Sequence, residues 1–348
     1  MRDQIKASES RRVTLLDVAK HVGVSKSTVS LVLRRSDDVN EKTRERVLKG
    51  IEQTGYVYNR QAADLRQTRT SDLLGIIING LNTPYAGELL HHFEQHTMSM
   101  DLIPMFASHS DRLKQQDRLV RNYMEYNVNG LVICPAPSTP ASWLDRLWRN
   151  GFPLVQIMRE VPFGDFPAVV ASNRSGTYAA TQHLIQLGHS KIAFIGGLDT
   201  LSDYHERLGG FMDATGEAGL SVPTDYIFQK DQDREAGREG LKTLLAYDPQ
   251  ITAIVCFSDL MAYGVLSEAR EMGIEVGKDL AVVGFDDIAD SRLTNPALTT
   301  VAVSAAEIAK AAIELLQVYT RDRNAPRQRI VIPATLTIRE SCGANSRH

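Results

Sequence analysis

From residue 71 onwards the chain alternates short apolar runs with amphipathic stretches, and this alternation restricts the fold more than any other feature. LLGIII (73–78) precedes a helical stretch from Ala86 to Met98, and DLIPMFAS (101–108) precedes one from Asp111 to Tyr126. Apolar runs that alternate with helices are typical of parallel sheets wound by right-handed crossovers. The sequence therefore predicts a body of the α/β class.

The alternation forms two successive series, which predict two similar, doubly wound α/β lobes. The other apolar runs are GLVICPAP (130–137), PLVQIM (153–158), AVVAS (168–172), KIAFIGG (191–197), ITAIVCFS (251–258) and LAVVGFDD (280–287). We expect an N-lobe of about residues 72–170 and 301–325, and a C-lobe of about residues 171–298 and 328–341. Since ligands of such sheets bind at the carboxyl ends of strands, we expect a ligand cleft between the lobes.

The first 70 residues differ in charge from this body. They hold 15 Lys and Arg against 9 Asp and Glu, a net charge of +6, whereas the remaining residues have a net charge of −9. A basic head on an acidic body is expected if one end of the chain contacts nucleic acid. A solvated N-terminal extension would have the same charge.

Residues 11–58 have the pattern of three short helices, an all-α helix-turn-helix domain. Thr14 and Asp17 predict a capping box at the first helix, and Gly23 ends that helix. Ser25 and Asn40 are suited to cap the second and third helices. Two helices joined by a tight turn, with a third bracing them, form a DNA-binding unit.

The second helix begins with Ser25, Lys26 and Ser27, and the first residues of such a helix face the major groove. Lys26 can donate to guanine O6 and N7, and Ser27 can bond to either base type. The next polar residues, Thr28 and Ser30, suit phosphate oxygens or bases. The alternative is a serine-rich helix start without a ligand.

Residues 59–70 are predicted to be a hinge helix or linker. Asn59 can cap a short helix on which Ala62 and Leu65 share one face. An apolar wedge flanked by arginines is what insertion into the minor groove requires. A disordered tether fits these residues equally well.

The body has no motif for catalysis, nucleotide binding or metal binding, and we expect no cofactor and no metal. GxGxxG, GxxxxGK[ST], HExxH and GxSxG are absent, and the three cysteines form no CxxC. No apolar run reaches the length of a membrane span, and the N-terminus lacks an apolar signal segment, so we expect a cytoplasmic protein.

Polar residues instead follow the predicted strands. They are Asn82, Tyr85, Arg159, Ser258, Asp259, Asp286 and Asp287. Carboxylates, an arginine and an aromatic ring around a cleft suit a small polyhydroxylated ligand. Each of these residues taken singly could also be an ordinary cap at the end of a strand.

Seven segments of the chain resemble the lactose repressor family of bacterial transcriptional regulators. They are VTLLDVAKHVGVSKSTVSLVL, VNEKTRERVLKGIEQTGYVYNRQAADL, LGHSKIAFIGG, ERLGGF, FSDLMAYGVL, VVGFDDIADSRLTNPALTTV and VIPATLTIRES. The resemblance extends in family order from about Val13 to Ser341. It implies a helix-turn-helix, a hinge helix and a core of residues 71–341 similar to periplasmic sugar-binding proteins. It further implies a homodimer, in some members a tetramer, that binds palindromic operator DNA.

The resemblance assigns roles to individual residues. It implies DNA contacts for Thr14, Ser25, Lys26, Ser27, Thr28, Ser30, Leu31, Asn59, Ala62 and Leu65. It implies effector contacts for Tyr85, Arg207, Ser258, Asp259 and Asp286, with a sugar or sugar phosphate as the effector. Arg159, which follows a predicted strand, completes the expected effector site, although Arg159 and Ser258 depart from the best-known sugar-specific patterns of the family. Leu31 departs from the family pattern, because many members place a guanine-reading arginine there.

The resulting hypothesis is a regulator, most simply a repressor, whose DNA binding is controlled by the effector. A sugar-binding protein that does not regulate DNA is the main alternative. An α/β enzyme is a further one, disfavoured because no catalytic constellation is present.

Overall fold

A computed structural model of the chain describes residues 13–33, 36–56 and 71–344. The chain divides into two compact units, one ending at Thr70 and the other beginning at Ser71. Each unit has its own hydrophobic core. The two are called the head and the body below.

The head contains helices α1 (Leu15–Val22), α2 (Lys26–Leu33) and α3 (Glu41–Thr54). The predicted caps are confirmed: Thr14 forms a capping box with Asp17, and the Asn40 side chain accepts from the Thr43 amide at 2.9 Å. The fully or nearly buried apolar residues of this unit are Val18, Ala19, Val29, Val32, Val39 and Val47. Small valine and alanine side chains let three short helices pack closely around a core of limited size.

The body contains twelve strands and eight α-helices among the residues described. In chain order they are β1 (Leu73–Ile78), α4 (Pro84–Met98), β2 (Ile103–Ser108), α5 (Leu113–Glu125), β3 (Leu131–Ile133), α6 (Ala141–Arg149), β4 (Leu154–Ile157), β5 (Ala168–Ala171), α7 (Asn173–Gln186), β6 (Ile192–Ile195), α8 (Ser202–Glu217), β7 (Ile227–Phe228), α9 (Arg234–Tyr247), β8 (Ala253–Cys256), α10 (Asp259–Glu271), β9 (Ala281–Asp286), β10 (Thr299–Val303), α11 (Ala305–Arg321), β11 (Arg329–Ile332) and β12 (Ala334–Thr337).

Two six-stranded sheets confirm the two predicted α/β lobes. The first sheet has the order β11-β5-β4-β3-β1-β2 and is parallel throughout. The second has the order β12-β10-β9-β8-β6-β7, and β12 is its one antiparallel strand among the pairs described. The inner strands of each sheet are almost entirely buried because helices cover both faces of the sheet, as is usual in parallel sheets, whereas the edge strands β2, β7, β11 and β12 are partly exposed.

The chain passes between the two lobes through three short connections. Ser172 joins β5 to α7, Ser304 joins β10 to α11, and Pro333 joins β11 to β12. The Ser172 amide donates to the Ile332 carbonyl at 2.9 Å, and the Ala334 amide donates to the Ser172 hydroxyl at 2.8 Å. Two of the three connections are thus hydrogen-bonded to each other.

The C-terminal part of the sequence interpretation needs correction. Residues 301–325 were expected in the first lobe and residues 328–341 in the second. Instead β10, which ends at Val303, pairs with β9 in the second sheet, and β11 pairs with β5 in the first. Strands as short as β10 and β11 carry no signal of which sheet they join, because the apolar pattern of a strand reports its buried face and not its neighbour.

Helix α9 was not predicted. Its contact face consists mostly of small residues, so an apolar pattern is hard to see. A Cβ atom at Gly237 would lie 2.1 Å from the Met261 carbonyl oxygen, because α9 and α10 pack with their backbones almost touching. Small residues replace the usual large apolar stripe where two helices pack this closely.

Candidate functional site

The first turn of α2 places three polar side chains on the surface of the head. Ser25 is the cap, since its hydroxyl accepts from the Thr28 amide at 3.0 Å. Lys26 and Ser27 are exposed, whereas Val29, one turn further on, is fully buried. This arrangement fixes the turn against the head core and directs its polar side chains towards solvent.

The other DNA-contact candidates of the head have different surroundings. The Thr14 hydroxyl is hydrogen-bonded to the Asp17 carboxylate at 2.6 Å within the capping box. Thr28 and Ser30 are half-buried, and Leu31 packs partly against the head core. Their roles towards DNA stay predictions. Asn59, Ala62 and Leu65 of the predicted hinge lie outside the described residues.

A cleft between the two lobes of the body encloses about 470 Å³, counted with its open mouth. Its lining residues are Ile78, Asn79, Thr83, Tyr85, Ala86, Leu89, Met158 and Arg159 from the first lobe, and Asp203, Arg207, Gln232 and Asp286 from the second.

Arg207 lies in the second-lobe wall, where two aromatic rings fix its guanidinium group. The guanidinium carbon is 3.6 Å from the Phe285 ring centroid and 4.5 Å from that of Phe257. Its Nε donates to the Asn173 side-chain oxygen at 2.9 Å, and another nitrogen donates to the Phe257 carbonyl. With the side chain held in this way, Nη2 lies 3.7 Å from Asp286.

Asp286 is the last residue of β9 and has a φ of 116°, a backbone conformation that residues other than glycine rarely adopt. Such strain is usually retained where a side chain must point in one direction. Burial raises the pKa of the Asp286 carboxyl well above its usual range, and Arg207 opposes that rise. Burial likewise raises the pKa of Tyr85, so that its hydroxyl stays protonated. Both groups therefore face the cleft largely removed from water.

Arg159 joins the two lobes across the cleft. Its Nη1 donates to Asp111 of the first lobe at 2.7 Å, and its Nε lies 3.4 Å from Asp203 of the second. Beside this bridge, the Glu160 amide donates to the Ser202 hydroxyl at 3.0 Å. Arg159 is only 5% exposed, and its two carboxylate partners offset the cost of burying the guanidinium.

Four of the six predicted effector residues thus come together in the cleft, and Ser258 and Asp259 do not. Ser258 caps α10, accepting from the Met261 amide at 3.4 Å. Asp259 is completely buried and accepts from the Ser291 hydroxyl at 2.6 Å and the Ile288 amide at 3.0 Å. Burial raises the pKa of Asp259 to about 6. Both residues organise the second lobe behind the cleft wall.

Sequence reasoning missed several residues of the cleft. Asn79 directly follows β1, so the rule that strand ends carry ligand residues would have found it. Asp111, Asp203 and Gln232 lie in loops or at a helix start far along the chain from their partners. Only the packing of the two lobes brings them to the cleft.

No helix in the described part of the chain is long and apolar enough to span a membrane. Residues 13–33, 36–56 and 71–344 also contain no group of three or more His, Cys, Asp or Glu side chains placed to hold a metal ion.

Two family profiles match the chain. Residues 14–59 match the bacterial regulatory proteins of the lacI family, and residues 181–342 match a periplasmic binding protein-like domain. The first match covers the head, and the second covers most of the second lobe together with the C-terminal segment.

Curated relatives extend the similarity to nearly the whole chain. The transcriptional repressor PurR of Haemophilus influenzae is 32% identical over 94% of this chain and 98% of its own length. The transcriptional regulator GalR of Escherichia coli K12 is 30% identical over 96% of each chain. The chain therefore belongs to the lacI family of bacterial regulatory proteins, and it is a DNA-binding transcriptional regulator with an effector-binding domain.

Solved structures agree with the fold. The Lac repressor dimer bound to operator and the anti-inducer ONPF matches 96% of this chain with a TM-score of 0.84 at 24% identity. The transcriptional regulator CelR in complex with cellobiose matches 95% with a TM-score of 0.72 at 28% identity. That the head and hinge are most similar to the repressor of a maltose-related regulatory locus is a prediction from the sequence alone.

Proposed function

We propose that this regulator is a repressor that binds a palindromic operator as a homodimer and releases or gains it when a small polar effector enters the cleft. The observation that carries the proposal is that one chain joins an exposed Lys26-Ser27 pair on a helix-turn-helix to a cleft lined by Arg207 and Asp286. We assign DNA binding to residues 11–58, the hinge to 59–70, and effector binding and dimerisation to 71–341. A DNA-binding regulator of this kind acts in the cytoplasm.

In this proposal the head recognises the base sequence of the operator. Lys26 and Ser27 contact base edges in the major groove, and Leu65 wedges into the central base step of the minor groove. Phosphate neutralisation by the basic head supplies most of the affinity, so binding falls steeply with salt. Pairing two heads on a palindrome doubles the number of bases that are read.

In this proposal the body controls the affinity of the heads for DNA. Arg207 and Asp286 are polar groups fixed in an otherwise partly apolar cleft, the arrangement typical of small-molecule sites. The relatives CelR, described in complex with cellobiose, and Lac repressor, described bound to ONPG, support a sugar-like effector. An effector that fits one spacing of the lobes shifts the equilibrium between two conformations, and this shift changes the affinity of the heads for DNA.

Fluorescence anisotropy with DNA from upstream of its own gene tests the DNA half. The Lys26→Ala variant should lose about 1–3 kcal/mol of specific binding free energy, because a bidentate base contact is removed. Lys49→Ala removes the same charge from an exposed position on α3 and is the matched control. Equal losses in both variants would show that Lys26 contributes charge only. No sequence preference at moderate salt would contradict the proposal and favour a sugar-binding protein without a regulatory role.

A further inference from the structure

The two lobes of the body contact each other just after β4, where each lobe contributes two neighbouring residues. The first lobe contributes Arg159 and Glu160, and the second contributes Ser202 and Asp203, the first two residues of α8. The Arg159 Nε lies 3.4 Å from the Asp203 carboxylate, and the Glu160 amide donates to the Ser202 hydroxyl at 3.0 Å. These four residues are called the interlobe bridge below.

Cavities lie on both sides of the interlobe bridge. Arg159 lines the cleft of about 470 Å³ that also contains Arg207, and it lines a second cavity of about 270 Å³, each counted with its open mouth. Glu160 and Ser202 face this second cavity. Because open space flanks the bridge, its polar contacts provide much of the attraction between the lobes at this place.

Arg159 is held more tightly by its own lobe than by the other. Its Nη1 donates to Asp111 of the first lobe at 2.7 Å, whereas its Nε lies 3.4 Å and 3.5 Å from the two carboxylate oxygens of Asp203. Strong hydrogen bonds between a guanidinium and a carboxylate measure about 2.7–2.9 Å. Separation of the lobes would therefore break the weaker of the two contacts and leave Arg159 paired with Asp111.

A buried histidine fixes the first-lobe end of this arrangement. The His109 Nδ1 accepts from the Asp111 amide at 3.0 Å, and its Nε2 donates to the Cys134 carbonyl at 2.7 Å. Burial lowers the pKa of His109, which keeps the ring neutral and Nδ1 an acceptor. Asp111 is thus held at a φ of 53° with its carboxylate on Arg159.

Asp203, at the second-lobe end, stays stabilised when the contact breaks. It lies in the first turn of α8, a helix of 16 residues, where the positive end of the helix dipole stabilises an acidic side chain. Its Oδ1 has no hydrogen-bond partner among the described residues, so the carboxylate can turn towards water without losing a strong bond. Both ends therefore tolerate an open arrangement, and the bridge can break and form again.

We propose that the interlobe bridge is a latch between two arrangements of the lobes. Arg159, anchored to Asp111, holds Asp203 in the closed arrangement and releases it in the open one. The strength of this contact sets the free-energy difference between the two arrangements, and so the fraction of the protein that is open. The regulatory meaning of the latch rests on the proposed function, because it requires that the two arrangements differ in affinity for operator DNA.

Hydrogen exchange at two adjacent amides of the full-length protein tests the latch. The Glu160 amide donates across the lobes to Ser202, whereas the Val161 amide donates within the first lobe to the Gln156 side chain at 2.8 Å. Asp203→Asn should accelerate exchange at Glu160 about tenfold and leave Val161 unchanged, because exchange follows the population of the opened form. Unchanged exchange at Glu160 would overturn the inference. Equal acceleration at both amides would also overturn it, since the loop and not the lobe contact would then have opened.

Asp213→Asn is the matched control for the lost charge. Asp213 lies on the same helix as Asp203, and it pairs with Arg174 within the second lobe. This variant should leave exchange at Glu160 unchanged. If it accelerates exchange as much as Asp203→Asn does, loss of a negative charge on α8 explains the effect and the latch is refuted.

Asp111→Asn tests the anchored end of the latch. Arg159 should then interact more strongly with Asp203, its remaining carboxylate partner, so exchange at Glu160 should not become faster. Acceleration as large as in Asp203→Asn would overturn the inference, because general loosening of Arg159 would then explain both results.

Operator affinity of the same variants separates the latch from the proposed function. Faster exchange at Glu160 in Asp203→Asn with unchanged operator affinity would refute the proposed coupling between cleft and heads alone. Specific operator binding by the wild type, together with unchanged exchange at Glu160 in Asp203→Asn, would refute the latch alone.

Discussion

The head and the body hold the side chains of their proposed sites in opposite ways. In the head, Lys26 and Ser27 are exposed on one helical turn that a neighbouring residue caps, over a core of six small buried residues. In the body, Arg207 is buried and is held by Asn173 and Phe257 from distant segments, and it lies beside the half-buried Asp286. The proposed site on α2 of the head therefore depends on local structure, whereas the cleft of the body depends on the whole fold around it.

The largest expected effect concerns Arg207 in the body. Arg207 is buried, and its replacement by alanine removes the cation beside the half-buried Asp286, so it should lower the free energy of unfolding by about 3–5 kcal/mol. Effector binding should be lost, while the head should still bind operator DNA in whatever fraction of the protein remains folded. Calorimetry and anisotropy measure the two properties.

Arg174→Ala is the matched control, since Arg174 forms an exposed ion pair with Asp213. Such pairs contribute about 0–1 kcal/mol. Similar losses of stability in Arg207→Ala and Arg174→Ala would show that burial of the arginine does not matter for stability.

Asp259 should make the stability of the body depend on pH. Burial raises its pKa to about 6, above the value of about 3.9 for an unfolded aspartate. The folded state therefore takes up a proton first as the pH falls, and stability should rise by on the order of 2 kcal/mol between pH 7 and pH 4 relative to Asp259→Asn. Urea unfolding of both proteins at several pH values measures this difference, and a constant difference across that window would refute the assignment.

Truncation of one buried valine should open the head more than it opens the body. Val29 of the head and Val265 of the body are both fully buried, and truncation of either to alanine costs about 2 kcal/mol. A small domain has less stability to lose than a large one. Hydrogen exchange should therefore show a clear rise in opening of the head in Val29→Ala, whereas Val265→Ala should leave the body folded. Equal protection in both units would refute the contrast.

The smallest expected effect is at the cap of α2. Ser25→Ala removes the acceptor for the Thr28 amide and should destabilise the head by about 1 kcal/mol. Ser25→Gly should cost only a few tenths of a kcal/mol, which makes it a useful control. If alanine and glycine have the same effect, capping by the hydroxyl is not what orders this turn.

The same contrast explains what the sequence could predict. Caps at Thr14, Ser25 and Asn40 were predicted correctly because each bonds to an amide three residues away. The prediction that Asp259 lines the cleft is wrong, because its side chain points into the interior of the second lobe beside Gly284. A Cβ atom at position 284 would lie 2.2 Å from Asp259 Oδ1. Asp203 reaches Arg159 only through the packing of the lobes, and no local pattern reports such a contact.

The three single-residue connections at Ser172, Ser304 and Pro333 limit how the body can move. Three short links side by side, two of them hydrogen-bonded, prevent the lobes from sliding apart or twisting freely and leave rotation about one axis as the easiest motion. Ligands of different shape would then all produce the same kind of movement and differ only in its extent. Residues of the cleft can therefore change during evolution, and the identity of the bound ligand can change with them, while the motion of the two lobes stays the same.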